Sequence, residues 1–251
     1  MITVSIVSHG HRDLVKDVLH DLAGFPEISS VVLTLNIPEE IPVFPSEIQS
    51  KLILISNDKP KGFGANHNAA FELSTTPYYC VLNPDVRMRT NPFNDLVSAM
   101  VENHAAMAAP LVMNSNGAIE DSIRKFPTPA RLFAKAIFKV KSVYSISDKE
   151  MLLFPDWVAG MFMLFESKAF ANLHGFDESF FLYYEDVDIC ARMRKQGMRL
   201  AVCPNVAVVH DAQRASHRNT KYLYWHICSM ILFFIKHLGR LPSPNKVSGT
   251  V

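Results

Sequence analysis

Residues 2–24, ITVSIVSHGHRDLVKDVLHDLAG, contain the change of pattern that decides the fold. Ile2 to Ser8 is a short apolar run of the kind a buried strand carries. From Arg12 onward Leu14, Val15, Val18, Leu19 and Leu22 recur at helical spacing, and Gly24 ends the run. The alternation continues outward. SVVLTL (30–35), KLILIS (51–56) and YYCVL (78–82) read as strands, while GANHNAAFELS (64–74) and NPFNDLVSAMVEN (91–103) read as helices. Strands alternating with helices predict an α/β chain with a mostly parallel central sheet flanked by helices on both faces.

Beyond residue 110 the pattern loosens. WVAGMFMLF (157–165) reads as one buried strand, SKAFANLHG (167–175) as a short helix, RLAVCP (199–204) and VAVVH (206–210) as two late strands, and 219–239 as a helix. No repeat or low-complexity linker divides the 251 residues, so one domain is expected. Its parts would be 1–110, 111–218 and a helical tail from 219 to 251.

Composition limits the function classes. Hydrophobic residues at 49% allow a sizeable core, and a net charge of +1 argues against nucleic acid as a partner. Cys80, Cys190, Cys203 and Cys228 are dispersed, which suits a reducing, cytoplasmic setting rather than a disulfide scaffold. The first residues read as a strand rather than a leader, and the C-terminal apolar run MILFFI is too short to span a bilayer.

In a parallel α/β sheet, ligands meet the loops at the carboxyl ends of strands. Three polar segments fall there: SHGH (8–11), NDKPKGFGANHN (57–68) and NPD (83–85). The second has a GxG after a strand and before a helix, where free amides would suit a phosphate, with Lys61, Asn66 and Asn68 beside them. A plain tight turn explains it equally. Asp85 is well placed to hold a divalent cation, although Asn-Pro-Asp is also good turn chemistry. His210 ends a strand and becomes a ligand candidate only if the fold brings it to Asp85.

The densest chemistry lies in FFLYYEDVDICARMRKQG (180–197). Glu185, Asp186 and Asp188 fall in the first turn of a helix, where carboxylates favour the dipole. Asp188 with Arg192 is an ordinary i,i+4 pair. Glu185 and Asp186 directly follow an aromatic run, and desolvation there raises a carboxyl pKa toward that of a general base.

Together these segments resemble glycosyltransferase family 2, within it the rhamnosyltransferase-like enzymes of bacterial surface-polysaccharide (O-antigen type) assembly. The resemblance is carried by NDKPKGFGANHN, VLNPDV, DWVAGMFML, GFDESFFLYYEDVDICARMRKQG and VAVVH, and covers most of the chain. It implies a GT-A fold, with a Rossmann-like nucleotide-binding half joined to an acceptor-binding half. It also implies inverting transfer from a nucleotide-diphosphate sugar, with Mg²⁺ or Mn²⁺. Asp85 would then bind metal and diphosphate, and His210 would stand at the second metal position. Asp186 would be the general base and Glu185 would orient the acceptor. The nucleotide sugar would be met by Ser8, His9, Asn36, Asn57, Asp58, Lys61, Gly62, Phe63, Asn66, Asn83 and Asp85. Trp157 and Gly160 would line the acceptor side, Trp157 having core packing as its alternative role.

Two departures matter. Leu35 occupies the position where the family has an acidic residue that reads the base or ribose, with Asn36 next, and Asn83 replaces the first carboxylate of the DxD motif. The expectation is transfer of L-rhamnose from dTDP-L-rhamnose to a lipid-linked or saccharide acceptor. The alternatives are another donor (UDP-galactose, UDP-glucose or UDP-GlcNAc) or a silent binding module. The tail, with Lys221, Lys236, His237 and Arg240 near aromatic residues, reads as peripheral on the cell membrane, as a packed helix or as a homodimer surface. The basic stretch 124–141 is a further candidate for membrane or pyrophosphate contact.

Overall fold

A computed structural model describes residues 1–41, 43–129, 131, 151–210, 220–237 and 240–242. In chain order the elements are β1 (Ile2–Ser8), α1 (Arg12–Ala23), β2 (Ile28–Leu35), α2 (Ser46–Gln49), β3 (Leu52–Ser56), α3 (Phe63–Phe71), β4 (Tyr78–Leu82) and β5 (Val86–Arg87). There follow α4 (Phe93–Asn103), β6 (Ala105–Met113), β7 (Ile123–Arg124), β8 (Trp157–Val158), β9 (Phe162–Glu166), α5 (Ser167–Asn172), α6 (Glu185–Lys195), β10 (Arg199–His210) and α7 (Thr220–His237).

Eight strands form one sheet in the order β3-β2-β1-β4-β9-β6-β10-β5, and β7 and β8 form a separate ribbon. The pairs β1/β2, β2/β3, β1/β4 and β6/β10 are parallel. β9 runs against both neighbours, and β5 runs against β10. The expected mostly parallel sheet with flanking helices is present. The reversal of β9 positions the site, because it brings the amino end of β9 to the edge where β1, β2, β3, β4 and β10 end.

One face of the sheet buries Val15, Val18, Leu19 and Leu22 of α1 with Phe93, Leu96 and Met100 of α4. The other buries Phe165, Phe170, Phe176, Phe180, Ile189 and Phe233. Four residues of α3 are buried, among them His67, whose Nδ1 lies 2.7 Å from the Ser5 hydroxyl. Burial pushes the His67 pKa down to about 3, so it is a neutral core histidine in the place where a dinucleotide fingerprint has its third glycine.

Three segments differ from the sequence expectation. Residues 105–113 form a strand buried along nearly all its length, although alanine is a poor strand former. Pairing with β10 and β9 overrides propensity there. The run 157–165 is not one strand but two, broken at Gly160, where Asp186 takes the backbone amide. RLAVCP and VAVVH are one strand whose register shifts between Cys203 and Ala207, the bulge absorbing Pro204. The basic stretch 124–141 is described only through 129 and at 131, so most of that expectation lies outside the described residues.

Candidate active site

The acidic pair sits on a strained turn. Tyr183 and Tyr184 both adopt left-handed backbone, φ 71° and 67°, before the helix begins at Glu185. Consecutive aromatic residues in that region are costly and persist only when their surroundings fix them. The surroundings do so here. The Phe63 amide donates to the Phe181 carbonyl at 2.9 Å, Ser229 donates to the Leu182 carbonyl at 2.9 Å, and Tyr184 packs on Phe233. Gly62 lies so close that a Cβ on it would meet the Phe181 carbonyl oxygen at 2.8 Å.

Glu185 is buried, and its Oε2 has no hydrogen-bond partner among the described residues. Burial, and then the charge of Asp186, push its carboxyl well above the ordinary carboxylate range. Asp186 is half-buried and better served: Oδ1 accepts from the Val187 amide at 2.8 Å and Oδ2 from the Gly160 amide at 3.0 Å. Burial raises its pKa as well, while the two amides and the Arg124 guanidinium oppose the rise. Asp186 is therefore the member of the pair that ionises more readily.

Asp188 does different work. It is fully buried, and its carboxylate gathers Arg192 (2.7 Å), Lys236 (2.7 Å) and His237 (2.8 Å). Arg192 also donates to the carbonyls of Leu173 and Gly175. The residue ties α6 to α7 and to the preceding loop. The sequence pairing with Arg192 is present; the link to α7 has no local signal.

The metal candidates are brought together. His210 Nε2 lies 3.2 Å from Asp85 Oδ2. Asp85 Oδ1 is buried without a hydrogen-bond partner among the described residues. The carboxylate fits either Mg²⁺ or Mn²⁺ in donor type, while the imidazole nitrogen favours Mn²⁺ over the oxygen-seeking Mg²⁺. Among the described residues no three His, Cys, Asp or Glu side chains cluster, so the described residues offer two donors here.

These two groups of residues meet across one dipeptide. Gly160 donates to Asp186, and the carbonyl of the next residue, Met161, accepts from the Asn83 amide at 2.9 Å. An added Cβ on Gly160 would lie 3.5 Å from Asp186 Cβ and from the Phe63 ring, ordinary contact distances, so Gly160 contributes its amide rather than unusual space.

On the donor side, several expected ligand contacts are occupied internally. Asn57 donates to Asn36 Oδ1 at 3.0 Å and to Asn66 Oδ1 at 2.7 Å, while Asn36 bridges the Lys61 amide and carbonyl. Asn66 donates to the Gly62 carbonyl. The three asparagines thus shape the loop before α3. The amide at the start of that helix is not open at Phe63, since Phe181 accepts from it. Ser8 is buried and accepts from the His11 amide with Oγ. His9, Asp58 and Lys61 remain exposed at this edge. Trp157 is buried and donates its indole N–H to the Lys125 carbonyl at 3.0 Å, so packing accounts for it. Its ring carries the Arg124 guanidinium at 5.2 Å. Arg124 is held by Asp121 through the carbonyl at 3.0 Å and the carboxylate at 2.9 Å. Its influence on Asp186 was not legible in sequence, because it depends on the β7–β8 pairing.

Comparisons with known proteins agree with this fold. Residues 145–234 match a family described as the N-terminal domain of galactosyltransferase. The chain is 28% identical over 253 residues to Rhamnosyltransferase WbbL of Escherichia coli (strain K12), covering 94% of this chain and 93% of that one. It is 27% identical over 175 residues to the N-acetylglucosaminyl-diphospho-decaprenol L-rhamnosyltransferase of Mycobacterium tuberculosis (strain CDC 1551 / Oshkosh), covering 65% and 57%. Among solved structures it superposes on the mannosyltransferase PcManGT from Pyrobaculum calidifontis, in complex with GDP-Man and Mn2+, with TM-score 0.62 at 14% identity, covering 94% of this chain and 64% of that one. GalNAc-T7 with UDP, GalNAc and Mn2+ gives TM-score 0.61 at 14% identity, covering 84% and 43%. The chain spans less than two thirds of either solved chain. Sheet topology and sequence relatives together identify the chain as a glycosyltransferase of the GT-A fold, similar to two rhamnosyltransferases at 28% and 27% identity.

Proposed function

We propose that the protein transfers L-rhamnose from dTDP-L-rhamnose to a lipid-linked or saccharide acceptor in cell-surface polysaccharide synthesis, with inversion at the anomeric carbon. The observation that supports this reading most is the Gly160–Met161 dipeptide, which joins the Asp186 carboxylate to the loop carrying Asp85. Residues 1–110 would hold the nucleotide sugar and 111–218 the acceptor. The four free cysteines are in keeping with a cytoplasmic setting.

In this mechanism Asp186, held by the Gly160 and Val187 amides, accepts the proton of an acceptor hydroxyl. The acceptor oxygen bonds to the anomeric carbon as the bond from that carbon to the nucleoside diphosphate breaks, and the electron pair leaves with the diphosphate. Glu185, buried and protonated more readily than its neighbour, orients the acceptor by donating a hydrogen bond. Asp85 and His210 would hold Mg²⁺ or Mn²⁺, which when bound neutralises charge on the diphosphate. Lys61 and Asp58, exposed beside the asparagine-braced loop, would contact the nucleotide.

A second reading keeps the fold and moves galactose, and the match of residues 145–234 to a galactosyltransferase family supports it. Donor turnover measured with dTDP-L-rhamnose, UDP-galactose, UDP-glucose and UDP-GlcNAc separates the two. Turnover of dTDP-L-rhamnose alone is expected. Turnover of UDP-galactose with none of dTDP-L-rhamnose overturns the rhamnose assignment.

A further inference from the structure

We infer that α7 docks the protein on an anionic lipid surface through the face it turns away from the core. Ser229, Phe233 and His237 are its buried line, one every fourth residue. Leu223, Ile227, Ile231 and Ile235 form a second line at the same spacing, two residues out of phase, and all four are exposed. Two residues are about 200° around a helix, so the second line lies opposite the first. Tyr224 stands beside it with 65% of its surface free, and Ile235 at its end is 68% exposed. The line runs about 18 Å along the helix at 1.5 Å per residue. A row of branched aliphatic side chains this long, open to water, marks an interaction face rather than scattered surface residues.

The charge on this element selects the occupant. Residues 220–237 contain no Asp or Glu. Lys221 lies near one end, 4.9 Å above the Trp225 ring, and exposed Arg240 follows the other. Lys236 is committed inward to Asp177 and Asp188. A second copy meeting this face about a two-fold axis would bring cationic rims together with no acid on the helix to pair them. Anionic headgroups complement those rims, while the aliphatic row and Tyr224 suit the headgroup–acyl boundary. No helix of the described residues is long and apolar enough to cross a membrane, so the contact is a lateral one.

The buried side of α7 makes the docking consequential. Trp225 packs on Phe181 at 4.7 Å, Phe233 packs on Tyr184 at 5.5 Å, and Ser229 holds the Leu182 carbonyl. The turn that delivers Glu185 and Asp186 therefore lies about one helix diameter, ~10–12 Å, from the docked face. An acceptor whose lipid stays in the bilayer would need to reach no further. The docking itself is independent of which sugar moves, and of whether any moves.

The test is co-sedimentation of the full chain with phosphatidylglycerol–phosphatidylethanolamine vesicles and with phosphatidylcholine vesicles, alongside sedimentation equilibrium without lipid. The wild type is expected to pellet with the anionic vesicles, less at high salt and less with phosphatidylcholine. Ile227→Glu combined with Ile231→Glu is expected to weaken pelleting at least ~tenfold with the thermal midpoint unchanged. Ile235→Glu serves as a second variant, at the free end of the row, should the double variant unfold. Equal pelleting of wild type and folded variant overturns the inference. So does a wild-type dimer that the variant converts to monomer while neither binds vesicles, and so does a wild type that pellets with neither composition.

Discussion

The backbone amide of Gly160 donates to Oδ2 of Asp186 at 3.0 Å. That bond breaks the run 157–165 into two strands and fixes the carboxylate at the edge of the sheet where Asp85 and His210 meet. The reversed strand β9 makes this possible by starting at the edge where its neighbour β4 ends.

The first consequence concerns pH. Both members of the pair are held above the ordinary carboxyl range, mainly by burial, so kcat/KM should fall on the acid side at a pH above the usual carboxylate range of about 4. Glu185 is still protonated where Asp186 titrates, so Glu185→Gln should leave that limb in place. Arg124→Ala removes the opposing cation and should move it to higher pH. A pH–rate profile of the three proteins checks each of these outcomes. Because a raised carboxyl pKa favours the folded state only while protonated, this stabilising contribution is lost as pH rises through the folded value. Glu185→Gln should accordingly be as stable as wild type at neutral pH, or more so.

Asp188 should behave in the opposite sense. Burial pulls its carboxyl upward, but the His237 hydrogen bond and the charges of Arg192 and Lys236 prevail and hold it below the ordinary value. Its contribution is present above the unfolded pKa, near 4, and is lost as pH falls through the lower folded one. Asp188→Ala, which leaves buried partners uncompensated, should cost ~3–5 kcal/mol at neutral pH. Urea unfolding at neutral and acid pH measures both, and the penalty should shrink at the acid end.

Two glycines predict opposite outcomes. A Cβ at Gly62 would meet the Phe181 backbone oxygen at 2.8 Å, whereas one at Gly160 finds 3.5 Å contacts. Gly62→Ala should lose ~1–3 kcal/mol by overpacking, and Gly160→Ala should unfold close to wild type. Equal thermal midpoints for the two variants would contradict this account of the donor loop.

Metal dependence supplies a fourth expectation. His210→Ala and Asp85→Asn should each weaken the Mn²⁺-dependent part of dTDP binding by ~10-fold or more, as loss of a ligand does, and leave metal-free binding unchanged. Calorimetric titration with and without Mn²⁺ separates these terms.

Much of this was legible in the chain. The strand and helix periodicity of residues 2–24 and the glycine- and acid-bearing segments give the architecture and the candidate residues, because those signals are local. The missing parts are set by partners distant in sequence. The alanine-rich strand β6 is held by β10 and β9, and the two late runs fuse because β6 pairs across their bulge. Asn36, Asn57 and Asn66 read as ligand contacts, yet each has its amide engaged with another of the three or with the loop itself. Arg124 reads in sequence only as part of the basic stretch 124–141, because only the β7–β8 ribbon brings its charge to bear on Asp186.

The central claim is that Asp186 removes the acceptor proton. The most direct test is transfer by Asp186→Asn at saturating donor, with donor binding measured on the same preparation. Transfer should fall by ~10²–10⁴-fold, the range for loss of a general base, while donor affinity stays within a few-fold of wild type. Transfer at the wild-type rate in the folded variant would contradict the account.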